Sequence, residues 1–150
     1  MMENENALPL RVLFVCTRNS ARSQLAEALL RHMSGGRIEV FSAGSEPAES
    51  VHPLVGEVVG ELTRSELMKA HPKPLSRFAG ERFDYVITLC DSAAEQCPSF
   101  PGQPLRIHWG FSDPASAPAE DQAKALRRTA AEIQGRLRLW LSLPAVAKRI

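Results

Sequence analysis

Apolar positions follow two distinct patterns along this chain. Short, β-branched runs come first: Val12-Leu13-Phe14-Val15, opened by Arg11 and closed by Cys16, predicts a strand buried on both faces. Ile38 to Ser42, Phe83 to Leu89 and Pro104 to Trp109 read as three more strands, the third ending at Cys90. Between them, apolar residues recur at three- and four-residue steps. Leu25, Ala28 and Leu29 share a face of a helix that begins near Ser23 and is stopped by Gly35-Gly36. Leu54, Val55, Val58, Val59 and Leu62 mark a second helix from about Pro53 to Leu62. Ala123, Leu126, Ala130, Ile133, Leu137, Trp140 and Leu141 mark the longest, from about Glu120 to Leu143, closed by Pro144. The stretch from Thr63 to Pro74 is weakly patterned, and His71-Pro72-Lys73-Pro74 breaks any helix there.

Strands alternating with helices predict an α/β fold. The expected form is a three-layer open sandwich, a four-stranded parallel sheet flanked by helices. In such sheets ligands bind beyond the carboxyl ends of the strands. Cys16 and Cys90 each follow a strand, so both are expected on that edge.

Composition narrows the class without choosing a function. At 150 residues, 44% hydrophobic and 23% charged, the chain is expected to be one domain over residues 1–150, with short flexible tails at about 1–9 and 145–150. Lys plus Arg is 18 and Asp plus Glu is 17, a net charge of +1 that carries no nucleic-acid footprint and no polybasic membrane arm. No run approaches the roughly 18 apolar residues of a membrane span. The polar, acidic start from Met1 to Asn6 is unlike a signal peptide and reads as a frayed tail, so the expected location is cytoplasmic. The three cysteines, Cys16, Cys90 and Cys97, are an odd number, which argues against a structural disulfide framework. They are either inert buried thiols or reactive ones, and their surroundings decide.

Cys16 and Arg22 bracket Thr17-Arg18-Asn19-Ser20-Ala21, and Ser23 follows. A tight loop between a strand end and a helix start turns successive backbone N–H groups inward, and the helix adds its positive end. A tetrahedral oxyanion fits such a ring. Arg22 can grip two of its oxygens in a fork, with Cys16 at the base facing the central atom. The same field favours the nucleophilic thiolate. Ser23 can donate a hydrogen bond to it, and Asn19 is suited to a left-handed turn bonded across the loop.

The run Cys16-Thr17-Arg18-Asn19-Ser20-Ala21-Arg22-Ser23-Gln24-Leu25-Ala26-Glu27 resembles the loop of the low-molecular-weight protein tyrosine phosphatase superfamily. It is similar above all to the thioredoxin-coupled arsenate reductases within it. Ser42-Ala43-Gly44 and Phe83-Asp84-Tyr85-Val86-Ile87-Thr88 match as well, so the resemblance runs from about residue 11 to 141. It implies a substrate cradle formed by Thr17, Arg18, Asn19, Ser20, Ala21, Arg22 and Ser23.

Cys90 and Cys97 are six residues apart, too far for a CxxC redox site and a poor zinc pattern. The residues between them form either a short helix that brings the sulfurs near each other or a loop that moves. The segment Thr88 to Pro98 resembles the redox segment of the arsenate reductases. That likeness implies a relay: Cys16 attacks arsenate, Cys90 attacks Cys16, arsenite leaves, and Cys97 exchanges onto Cys90. A plain phosphatase needs Cys16 alone. The segment His108 to Ala115 resembles the family's Asp-Pro loop, which implies Asp113 as the acid for the departing oxygen.

The resemblance further implies arsenate as substrate, phosphate or sulfate as competing oxyanions, thioredoxin as electron donor, no tightly bound cofactor and a monomeric enzyme in arsenic detoxification. A mycothiol or glutaredoxin route stays open as donor. The alternative reading is a phosphatase acting on phosphotyrosine or small phosphate esters, and weak phosphatase activity can coexist with reduction. Some family members bind potassium at positions matching Asn19, Glu27 and Ser42. His32, His52 and His71 share no metal-ligand spacing, and His108, Trp109 and Trp140 read as packing or strand-end residues.

The sequence departs from the family at three places. Position 18 is Arg where Gly is frequent; a positive φ there is costly for Arg, whereas an extended one leaves a cation at the mouth. Ala21 stands where some relatives carry another cysteine, and residues 63–73 match poorly.

Overall fold

The computed structural model describes residues 8–64 and 70–150. The expected tail over Met1 to Asn6, and part of the weakly patterned stretch after Thr63, lie outside the described residues.

Four strands form one parallel sheet: β1 (Arg11–Cys16), β2 (Glu39–Gly44), β3 (Tyr85–Thr88) and β4 (Leu105–His108), in the order β2-β1-β3-β4. Among the described residues five α-helices connect and cover them: α1 (Arg22–Met33), α2 (Val55–Thr63), α3 (Asp91–Gln96), α4 (Gln122–Leu141) and α5 (Pro144–Ala147). The parallel sheet and flanking helices expected from the sequence are present.

Period two in β1 divides the core between the two faces of the sheet. Val12 and Phe14 join Tyr85 and Ile87 under Leu25 and Leu29 of α1 and Leu126, Ile133 and Leu137 of α4. Leu13 and Val15 join Ala43, Phe78, Phe83, Val86, Ala93 and Phe100 on the opposite face. There the rings of Phe41, Phe78, Phe83 and Phe100 meet edge to face, with centroids 5.5–5.9 Å apart. From Val12 to Val15 neither face of β1 touches water, which is why its sequence reads as continuous rather than alternating apolar residues.

The C-terminus differs from the tail expected at 145–150. Pro144 ends α4 but also opens α5, since the first position of a helix needs no N–H and suits a fixed φ. Val146 then buries completely in the core, and Arg149 donates to Leu8 O at 3.1 Å and to Asp84 Oδ1 at 3.4 Å. This segment is tied down at both backbone and side chain.

β1 lies at the sheet's switch point, with chain crossing to β2 on one side and to β3 on the other. The carboxyl ends of β1 and β3 therefore open a crevice between diverging connections. Residues 16–22 and 89–97 leave from that crevice.

Candidate active site

The loop between β1 and α1 is moulded by the strand beside it. Cys16 pairs with Gly44 in the sheet register, and the chain after Gly44 continues along the loop. Ser45 N–H donates to Cys16 O at 3.3 Å, Glu46 N–H to Thr17 O at 2.8 Å, Ala48 N–H to Arg18 O at 2.9 Å and His52 N–H to Ser20 O at 2.9 Å. In a trans peptide the N–H points opposite to the carbonyl, and no cis peptide occurs among the described residues. Four carbonyls drawn outward thus aim the N–H groups of Thr17, Arg18, Asn19 and Ala21 inward. The cradle is set by this ribbon before any anion arrives.

Gly44 is where the two strips come closest. A Cβ built on it meets Thr17 O at 2.6 Å, and Arg18 C and Asn19 Cβ at 3.0 Å. The match over Ser42-Ala43-Gly44 gave no physical role to this glycine; the close approach of the Thr17 peptide supplies one.

Asn19 takes the strained position of the loop, with φ of 50°. Arg18 has no positive φ, so the feared cost at that position does not arise; the residue is exposed at the mouth. Asparagine tolerates the left-handed region because its side chain bonds locally. Its Nδ2 donates to Ser23 Oγ at 2.6 Å, and Ser23 Oγ lies 2.9 Å from Cys16 Sγ. With its acceptor side occupied by Asn19, the Ser23 hydroxyl has its proton free for the sulfur. Lys73 N–H and Gln24 Nε2 donate to Asn19 Oδ1 at 2.8 and 3.2 Å, which fixes the amide's orientation. Gln24 Nε2 also reaches Asn19 O and His71 O, both at 3.1 Å. Gln24 and Lys73 are positioning groups that pattern reading missed. Gln24 falls within the run that carries the resemblance but received no role there, and the path from Lys73 to the loop exists only in three dimensions.

Arg22 is 9% exposed and joins the cradle to the segment after β4. Its Nη1 donates to Phe111 O at 3.1 Å, and its Nη2 lies 3.8 Å from Asp113 Oδ2. Asp113 Oδ1 accepts the Ala115 N–H at 3.0 Å, capping the short 3₁₀ turn Pro114–Ser116. A cavity of about 440 Å³ opens over Cys16, lined also by Arg22, Ser50, Val51, His52 and Asp113. No Phe, Tyr or Trp lines it among the described residues.

Cys90 and Cys97 frame α3, so the segment between them takes the short-helix form of the two left open. Cys90 Sγ lies 3.1 Å from Thr17 Oγ1, which brings the second thiol to the loop itself. Cys97 is half-buried at the other end, its thiol pushed up by burial and partly held down by the Arg106 guanidinium. All three thiols are free. His108, expected at a strand end, bridges Thr88 Oγ1 at 2.8 Å and Asp91 Oδ1 at 2.9 Å, linking the sheet to the first residue of α3.

The residues matched to a potassium site do not fit the ion. Glu27 and Ser42 do meet, Ser42 Oγ donating to Glu27 Oε1 at 2.7 Å. The Lys73 ammonium stands 4.0 Å from the same oxygen, and Arg31 donates to Glu27 Oε2 at 3.0 Å. Asn19 turns its side chain into the loop instead. Two unit charges about 4 Å apart repel by roughly 4 kcal/mol at an effective dielectric near 20, so a second cation is disfavoured beside this lysine.

The chain belongs to the low molecular weight phosphotyrosine protein phosphatase family, whose profile matches residues 11–149. Its relatives within that family include arsenate reductases. The arsenate reductase of Halalkalibacterium halodurans is 36% identical over 131 residues, 86% of this chain and 93% of that protein. Among solved structures, the thioredoxin-dependent arsenate reductase of Corynebacterium glutamicum is 38% identical with a TM-score of 0.67; the match covers 91% of this chain and 63% of that longer one. An arsenate reductase in the phosphate binding state is 28% identical with a TM-score of 0.74, covering 89% and 97%.

Proposed function

We propose that this protein reduces arsenate to arsenite through Cys16, Cys90 and Cys97, with thioredoxin restoring the thiols. The observation that carries the reading is the 3.1 Å contact of Cys90 Sγ with Thr17 Oγ1 at the rim of the Cys16 loop. Ester hydrolysis gives a second thiol there no task; reduction needs one.

The cradle N–H groups and Arg22 hold arsenate with its arsenic over Cys16 Sγ. The Cys16 thiolate, supported by Ser23, attacks arsenic, and one oxygen leaves as water with a proton from Asp113. Cys90 thiolate then attacks Cys16 Sγ. The sulfur–arsenic bonding pair stays on arsenic, which falls from As(V) to As(III), and a Cys16–Cys90 disulfide forms. Cys97 attacks Cys90 Sγ, Cys16 departs as thiolate, and the Cys90–Cys97 disulfide accepts two electrons from an external dithiol.

The Corynebacterium relative is thioredoxin-dependent, which supports thioredoxin as that dithiol. Among the described residues the cavity is lined by small, polar and charged side chains rather than aromatic ones, which favours a bare oxyanion over a phosphotyrosine ring. The test is NADPH oxidation with arsenate, thioredoxin and thioredoxin reductase, each omitted in turn. Oxidation that needs every component establishes the reading. If no thiol donor supports arsenate turnover while an aryl phosphate is hydrolysed, the protein is a phosphatase and Cys90 and Cys97 lose their roles.

A further inference from the structure

We infer that the Lys73 side chain is a built-in replacement for a bound monovalent cation, serving the Cys16 loop from behind. The inference rests on the proposed role of that loop as the oxyanion site.

Glu27 sits one helical turn after Ser23, on the face of α1 that carries the loop. Its side chain is only 13% exposed. A carboxylate so placed opposes both a thiolate and an arriving dianion unless it is neutralised. Three groups converge on it. Arg31 takes the outer oxygen from solvent, being 52% exposed. Ser42 and Lys73 take the inner oxygen, Lys73 from a side chain 12% exposed. Lys73 Nζ is itself held by His71 O at 2.9 Å, a carbonyl that also accepts from Gln24. Carboxylate and carbonyl oxygens are donors that a hard monovalent cation uses, and the Lys73 ammonium lies between two of them, 2.9 Å from His71 O and 4.0 Å from Glu27 Oε1. The same residue's N–H holds Asn19 Oδ1, so the cation is anchored to the backbone that orients the amide behind Ser23 and Cys16. Burial lowers the Lys73 pKa, and the Glu27 carboxylate works against that drop.

The test compares KCl with choline chloride at equal ionic strength and reads two properties that need no arsenate. These are the iodoacetamide alkylation rate of Cys16, with Cys90 and Cys97 changed to Ser, and the melting temperature. The native side chain should give the same values in both salts. Lys73→Ala, which opens space for an ion, should slow alkylation roughly three- to tenfold in choline and lower the melting temperature. Potassium should restore both, saturably. Lys73→Met, which fills the space without charge, should be slow in both salts. Glu27→Gln with Lys73→Ala removes both charges and should abolish the potassium response, a control that holds even if Lys73→Ala folds poorly. A saturable potassium effect on the native protein overturns the inference. So does a Lys73→Ala variant indifferent to both substitution and salt, or one that potassium does not restore. Arsenate turnover enters neither readout, so failure of the reductase assay leaves this test standing.

Discussion

Replacing Gly44 with Ala adds one methyl group where the loop and β2 are closest. The new Cβ lies 2.6 Å from Thr17 O, and even a 3.0 Å contact requires the carbonyl to retreat by 0.4 Å. That carbonyl accepts from Glu46 N–H, and its own residue carries the hydroxyl beside Cys90, so the shift reaches both the cradle and the second thiol. Overpacking of this kind costs about 1–3 kcal/mol. For a domain of this size that lowers the melting temperature by about 2–12 °C. A displacement approaching 1 Å at reacting groups costs up to about 100-fold, so kcat/KM for arsenate should fall roughly 10- to 100-fold. The controls are Gly56→Ala in α2 and Gly135→Ala in α4, where a Cβ meets nothing within 4 Å. Both should be neutral or stabilising by up to about 1 kcal/mol. Thermal denaturation by circular dichroism and the coupled NADPH assay read both quantities. A Gly44→Ala protein with native melting and native kcat/KM would refute the argument that the Thr17 peptide is seated on this glycine.

Further outcomes follow from the same geometry. Arg22→Lys keeps the charge but loses the fork, and kcat/KM should drop roughly 10²- to 10³-fold, read by steady-state kinetics. Cys97→Ser should release one arsenite per protein and stop with Cys16 joined to Cys90, identified by peptide mapping; continued turnover with thioredoxin breaks the three-thiol relay. Burial raises the Cys97 pKa, so its alkylation should keep accelerating above the ordinary thiol range, and Arg106→Gln should displace that rise further upward. A pKa higher in the folded than the unfolded chain means the stability this thiol contributes is lost as pH climbs through the folded value. Cys97→Ala should therefore lose less stability than the native protein as pH rises through and above the ordinary thiol range, measured by urea titration.

The sheet and the loop were legible because their signals are local. Five residues from Arg11 to Val15 announce a doubly covered strand; Cys16 closes it, and Arg22 and Ser23 open the helix beyond the loop. Asn19 was legible because few side chains suit a left-handed position next to a helix start. What escaped is what depends on a second strip of chain. Nothing in Ser42-Ala43-Gly44 says that a peptide from the neighbouring loop will press on the glycine. Nothing in His71-Pro72-Lys73-Pro74 says that its lysine will meet Glu27. Pro144 was legible as a stop but not as a start, since the same ring serves both purposes and only the burial of Val146 decides.

The short helix α3 has a consequence for turnover itself. It spans six residues and has no side-chain cap at its start, and Ala93 is the one fully buried side chain among those described in it. A helix this short has no intrinsic stability in water and persists only through its packing. The opening free energy of this unit is therefore expected to lie well below that of the whole molecule. Under the proposed relay, Cys97 can reach Cys90 by local unfolding of one turn while the sheet stays intact. Sub-denaturing urea should then accelerate the second thiol exchange even as it lowers global stability. Conversely, a substitution that stiffens this turn should hold the enzyme at its first disulfide, so the trade between robustness and speed is concentrated in a single element.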